Sequence, residues 1–264
     1  MNNVIKLFSF STNRGISGVR SFSQPWDSSH SLSVVALTGC DGSGKSTLQA
    51  DLVARLREHG PAEALYLGQS SGRIGEWIAG LPLIGRAMNR YLVGKSDKVH
   101  DQPSTPPGNV TALAIYLLSR WRAHKFRRML AMARRGVLVV TDRYPQAEKA
   151  GFNFDGPQLA KTDGGNWWVR RLRASERRLY VWMAASVPML VIRLNVDAET
   201  AHARKPDHKL SSLREKIAGW PHLTFNGARI VDLDARDEAG TVLRSSLHAI
   251  YAALRTSPVQ ASPA

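Results

Sequence analysis

A glycine-rich loop with one lysine and adjacent hydroxyl side chains is the part of this sequence best suited to chemistry. The loop follows an apolar run and has the spacing G-x-x-x-x-G-K-S. Glycines lack a Cβ, so their backbone can take positive φ and turn its N–H groups towards an anion. A lysine at this spacing reaches the β- and γ-phosphates of a nucleotide, and the serine hydroxyl suits Mg²⁺. We therefore expect the polyphosphate-binding residues to be Gly39, Gly42, Ser43, Gly44, Lys45, Ser46 and Thr47.

Two further polar positions accompany the loop. Asp142 and Arg143 end the apolar run Val137–Val140. A carboxylate in this position holds Mg²⁺ directly or through water, so we predict a metal at Ser46 and Asp142. The arginine fork suits a phosphate. Asp41 lies inside the loop, where it either serves an acceptor hydroxyl, as a contact or general base, or caps the loop through backbone N–H groups.

A pair of cations follows a short predicted helix near the end of the chain. Arg204 and Lys205 come directly before a proline. A basic lid here would stabilise the charge on a transferring phosphoryl group. The alternative is the ordinary placement of cations at a helix C-terminus. We favour the lid and predict a catalytic role for Arg204, together with Lys45, Arg143 and Asp41.

The elements that must position these residues alternate between strand and helix. This alternation predicts an α/β domain with a five-stranded parallel sheet and helices on both faces. Ligands of such sheets bind at the carboxyl ends of the strands. The predicted strands are 32–38, 64–67, 137–140, 189–194 and 229–233, and the main helices end near 59 or cover 109–135, 166–184, 197–204 and 237–255.

Length and composition favour one domain with tails. Of the 264 residues, 43 % are hydrophobic, and no apolar run approaches the roughly 18 residues that span a bilayer. One cysteine, Cys40, excludes an internal disulfide framework and fits a cytoplasmic location. We expect a kinase domain over 31–256 and a disordered tail over 257–264. Residues 1–30 are expected to be a disordered leader, with a mitochondrial transit peptide as the alternative.

The net charge of +15 indicates an anionic partner. Basic residues concentrate in two predicted helices, and their dispersion around each helix favours a solvated face. Trp167, Trp168, Tyr180 and Trp182 flank the second basic helix. They suit base stacking, although aromatic residues at helical spacing more often belong to a core and its rim.

The order of motifs resembles the thymidylate kinase family over roughly residues 32–255. The resemblance is carried by G-x-D-G-S-G-K-S-T, then D-R-Y at 142–144, L-x-V-x-x-E-x-x-x-x-R-K at 194–205 and I-V-D-L-D at 230–234. It implies a P-loop NTPase-type fold and transfer of the ATP γ-phosphate to dTMP with Mg²⁺. It places Lys45 and Ser46 on ATP–Mg²⁺, Asp41 near the acceptor sugar, Arg143 on the acceptor phosphate and Arg204 in the lid. Homodimers are usual in that family.

The acceptor half departs from the family pattern. The family carries T-R-E-P after the second strand, whereas this chain has a Gly/Ser stretch leading to Arg73. After D-R-Y, the chain has a stretch that includes Asp155 in place of the usual A-Y-Q. The alternatives to a nucleotide acceptor are therefore a phosphorylated sugar or lipid precursor. A basic, nucleic-acid-associated P-loop ATPase and a degenerate kinase kept for nucleotide binding are further alternatives.

Overall fold

The computed structural model of the chain describes residues 32–68, 106–161 and 163–256. The predicted leader, the predicted tail and Arg73 lie outside the described residues. Within the described part, no helix is long and apolar enough to cross a membrane.

Five parallel strands form one sheet, in the order β2-β3-β1-β4-β5. This confirms the predicted α/β fold, and the architecture is consistent with a P-loop NTPase. Because β1 lies between β3 and β4, the loop after β1 begins beside the end of β3, where Leu37 pairs with Asp142. The strands are β1 (Leu32–Gly39), β2 (Ala62–Tyr66), β3 (Leu138–Asp142), β4 (Pro188–Asn195) and β5 (Ile230–Asp234).

Helices cover both faces of the sheet because the side chains of β1 alternate between two cores. Val35 and Leu37 join a core with α1 and α6, and Val34 and Ala36 join the core under α2 and α3. The helices are α1 (Lys45–Arg57), α2 (Asn109–Arg134), α3 (Trp167–Ala184), α4 (Ala198–Arg204), α5 (Leu210–Gly219) and α6 (Ala239–Thr256), with 3₁₀ turns at Phe152–Phe154, Leu159–Lys161 and Trp220–His222.

The second strand lies two residues earlier than its apolar run predicts. It covers Ala62–Tyr66 and begins directly after Pro61. β2 is an edge strand, and Glu63 and Ala64 are exposed on it. Edge strands tolerate polar residues that a buried strand would exclude, so a search for apolar runs misplaces them.

Candidate active site

The loop between β1 and α1 has the backbone that its glycines predict. Gly42 and Gly44 have φ of 86° and 84°, in the left-handed region that favours glycine. Gly44 forms the N-cap of α1, so the helix dipole points its positive end into the loop. A Cβ added at Gly42 would lie 2.6 Å from the carbonyl oxygen of Ala201, because α4 packs directly against the loop. The glycines therefore serve both the loop's turn and this close approach.

Lys45 is folded back into the loop. Its side chain is buried, and its Nζ donates to the carbonyl oxygens of Gly39 at 3.1 Å and Cys40 at 2.7 Å. Burial lowers the pKa of Lys45, while the charge of Asp142 opposes that shift. The ammonium thus lies inside the ring of loop N–H groups, held by neutral carbonyls that an anion can displace.

Ser46 and Asp142 meet across the loop, as the sequence predicted for a shared ligand. The Ser46 Oγ donates to the Asp142 Oδ2 at 3.1 Å. The Asp142 Oδ1 is buried and has no hydrogen-bond partner. Burial raises the pKa of Asp142, opposed by the charges of Lys45 and Arg143. A buried carboxylate oxygen without a donor is costly and indicates a place for a cation or another donor.

Asp41 is an ion-paired residue and caps no backbone N–H in the described hydrogen bonds. Its Oδ1 accepts from Arg143 Nη2 at 2.9 Å, and its Oδ2 accepts from Lys216 Nζ. Burial alone would raise the pKa of Asp41, but the charges of Lys216 and Arg143 hold it far below its usual range. A carboxylate with so low a pKa is a weak general base. The geometry therefore favours a role for Asp41 in positioning the two cations.

Arg143 lies between two carboxylates at the carboxyl edge of the sheet. Besides Asp41, its Nη1 lies 3.7 Å from the Asp155 Oδ1. Its backbone has φ of 69°, an uncommon value for a non-glycine residue, and its N–H donates to the Leu37 carbonyl oxygen at 3.1 Å. Strained backbone of this kind persists where the surroundings fix it and clusters at functional sites.

A buried arginine completes the cluster from α2. Arg122 is 1 % exposed, and its Nη2 donates to the Asp155 Oδ1 at 3.0 Å. Its Nη1 also donates to the Asp155 carbonyl oxygen at 3.2 Å. Burial disfavours its charge, yet Asp155 and the Tyr180 hydroxyl hold the pKa of Arg122 above its usual value. One carboxylate, Asp155, therefore joins Arg122 to Arg143.

The chain is similar to two proteins of Escherichia coli (strain K12). It is 62 % identical over 221 residues to the "Uncharacterized ATP-binding protein YghS", a match covering 84 % of this chain and 93 % of that protein. It is 41 % identical over 217 residues to the "Uncharacterized ATP-binding protein YghR", covering 82 % and 86 %. The chain belongs to the YghS/YghR family. No protein-family model matches it.

In this YghS/YghR family member, Arg204 lies at the end of α4 beside the loop. Its Nη1 donates to the Ala235 carbonyl oxygen at 3.0 Å and lies 3.4 Å from the Gly42 carbonyl oxygen. The side chain is exposed. The lid prediction thus has Arg204 next to the phosphate loop, and its catalytic role stays a prediction.

Sequence reasoning missed Lys216 and left the role of Asp155 open. Lys216 is 5 % exposed and lies on α5, one turn after the buried Leu213. A lysine on the apolar face of a predicted helix is the signal that could have found it, because a buried lysine needs a partner. Asp155 has φ of 59°, a conformation that aspartate tolerates better than most residues.

Lys125 supplies a titratable cation at the end of β2, and its charge makes a testable contribution to stability. Its Nζ donates to the Gly68 carbonyl oxygen and lies 5.4 Å from the Tyr66 ring centroid. Burial, helped by Arg122, lowers the pKa of Lys125 from 10.5 to about 8. Between these values the unfolded chain binds more protons, so the free energy of unfolding should rise with pH.

The measurement is urea unfolding of the wild type and of Lys125→Met at several pH values across that window. The difference in unfolding free energy between the two proteins should increase as pH rises. The exposed Lys161 offers the control, since Lys161→Met should show no such trend. A flat difference for Lys125→Met would contradict the shifted pKa.

Proposed function

We propose that this chain binds ATP with Mg²⁺ and transfers the γ-phosphoryl group to a phosphorylated acceptor, with dTMP as the leading candidate. The observation that carries the proposal is the meeting of three features at one edge of the sheet. These are the phosphate loop with Lys45, the Ser46–Asp142 pair, and the cations Arg143 and Lys216 held by Asp41. The printed names of YghS and YghR, both ATP-binding proteins, support the choice of nucleotide.

The donor side fits Mg²⁺. This ion takes oxygen ligands and is usually bound through one or two carboxylates together with substrate phosphates. Ser46 and the unpartnered Asp142 Oδ1 supply such oxygens beside the loop. When bound, Mg²⁺ neutralises charge on the β- and γ-phosphates.

The chain's own residues would contribute positioning and charge. An acceptor oxygen attacks the γ-phosphorus while the bond from that phosphorus to the β–γ bridging oxygen of ADP breaks. Lys45 would leave its two carbonyl partners to stabilise the phosphates. Arg143 carries five N–H donors, so it can orient an acceptor phosphate while Asp41 and Asp155 keep its position. Arg204, beside the loop, would approach the transferring group from the lid.

Coupled ADP release with ATP–Mg²⁺ tests the proposal against dTMP, dUMP, CMP, AMP and GMP, alongside direct measurement of ATP binding. Turnover with dTMP supports the thymidylate kinase-type reaction. ATP binding without turnover on any of the five would leave a donor site whose acceptor is a phosphorylated sugar or lipid precursor. Absence of ATP binding would contradict the proposal as a whole.

Asp142→Asn isolates the metal contribution. The variant keeps the shape that accepts from Ser46 but removes the charge at the buried Oδ1, so the Mg²⁺ concentration for half-maximal turnover should rise by at least about tenfold. Asp51→Asn is the matched control, because Asp51 is exposed on α1, the helix that also carries Ser46. Equal Mg²⁺ requirements in the two variants would exclude Asp142 from the metal site.

A further inference from the structure

Helices α2 and α3 run parallel and side by side, and together they form one outer layer of the domain. Contacts join residues at a nearly constant separation along the chain. Asn166 Nδ2 donates to Asn109 Oδ1 at 2.9 Å, Ser119 Oγ to Glu176 Oε1 at 2.7 Å, and the Phe126 and Trp182 rings lie 5.5 Å apart. The exposed sides of the two helices therefore form one continuous surface, which we call the α2–α3 face.

The α2–α3 face is strongly basic. Helix α2 contains no acidic residue, and the one acidic residue of α3, Glu176, is buried and bonded to Ser119 and the Leu159 N–H. Its field is therefore one of uniform positive sign, and it complements an anionic partner. The exposed arginines are Arg120, Arg127, Arg128, Arg134, Arg170, Arg171, Arg177 and Arg178.

The same face carries exposed apolar side chains. Within the residues that the structure describes, every large hydrophobic side chain recorded as exposed lies on these two helices: Val110, Leu117, Trp167, Trp168, Val181 and Trp182. Trp167 is 65 % exposed, which is unusual for a tryptophan on a folded domain. Tyr180 is buried, so only part of the predicted aromatic group lies in the core. Grouped exposed apolar residues among like charges mark an interaction surface.

We propose that the α2–α3 face docks this protein onto an anionic phospholipid surface. Arginine pairs with anionic headgroups, and tryptophan lies at the headgroup level with its polar N–H towards water. Valine and leucine at the surface gain by entering the acyl boundary, as in helices that lie in the membrane interface. The proposal does not depend on which acceptor the active site uses.

Two other anionic or apolar partners fit the face less well. Nucleic acid binds through open aromatic faces, but Val110, Leu117 and Val181 have none, and Arg127 lies over the Trp182 ring, 4.9 Å from its centroid. A second copy of the chain would place arginines against arginines across a two-fold axis, which is repulsive.

Co-sedimentation of the full chain with vesicles tests the proposal. The vesicles are phosphatidylcholine alone or with about 30 % phosphatidylglycerol. We expect binding to the anionic vesicles only, weakened by salt. Arg171→Gln/Arg178→Gln should bind about 30-fold more weakly, from a loss of roughly tenfold to a few-fold per arginine at the surface. Trp167→Ser/Trp168→Ser should also bind more weakly while keeping the salt dependence.

The matched control removes the same net charge from the opposite face of the sheet. Arg55 and Arg244 are exposed on α1 and α6, so Arg55→Gln/Arg244→Gln should bind vesicles as the wild type does. Equal weakening in the two arginine pairs, or no binding to anionic vesicles, would overturn the proposal. Tighter binding to a single-stranded oligonucleotide through Arg171 and Arg178, or a dimer that the tryptophan variant dissociates, would replace lipid by that partner.

Discussion

Replacing Lys45 with alanine should lower ATP turnover by at least about 10²-fold, the cost typical of removing one preorganised electrostatic group from an active site. Lys45 is the cation inside the phosphate loop, and its only described hydrogen bonds go to the carbonyl oxygens of Gly39 and Cys40. Neither partner is charged, so the variant leaves no buried counterion without its pair. Coupled ADP release measures the loss, and circular dichroism checks that the fold is kept.

Arg244→Ala is the control for Lys45→Ala, since it removes a cation that is exposed on α6. Its turnover should equal that of the wild type. A Lys45→Ala protein that is folded and turns over normally would contradict the assignment of the loop as the donor site. Loss of turnover in both variants would indicate a general effect of net charge.

The donor half of the site could be predicted from the sequence because its geometry is local. The spacing from Gly39 to Ser46 fixes which side chains share one loop, and a parallel sheet brings the ends of neighbouring strands together. The pairing of Leu37 with Asp142 therefore follows once both runs are recognised as strands. The Ser46–Asp142 contact at 3.1 Å confirms that the two predicted ligands meet.

The rest of the cluster could not be predicted because its contacts join distant segments. Lys216 meets Asp41 across 175 positions, and Arg122 meets Asp155 across 33. No periodicity records such a pair, since each partner separately resembles an ordinary surface charge. The α2–α3 face escaped for the same reason. Dispersion of arginines around each helix says nothing about how two helices combine their exposed sides.

The Arg122–Asp155 pair should carry the largest stability effect among the site residues. Both side chains are almost fully buried, and the two atoms lie 3.0 Å apart. Asp155→Asn keeps the side-chain shape and tolerates the positive φ, but it leaves a guanidinium that cannot deprotonate without its counterion. Breaking a buried pair in this way costs about 3–5 kcal/mol. Urea unfolding should show a lower midpoint with an unchanged slope.

An exposed ion pair of the same length separates burial from charge. Arg57 Nη2 lies 2.9 Å from the Glu63 Oε2, and both side chains are about half exposed. Glu63→Gln removes the same charge as Asp155→Asn, yet water screens that pair, so the loss should be about 0–1 kcal/mol. Similar losses in the two variants would mean that Asp155 does not compensate the buried charge of Arg122. A large loss in Asp155→Asn alone would identify the pair as the element that fixes α2 to the loop after β3, and through it the position of Arg143.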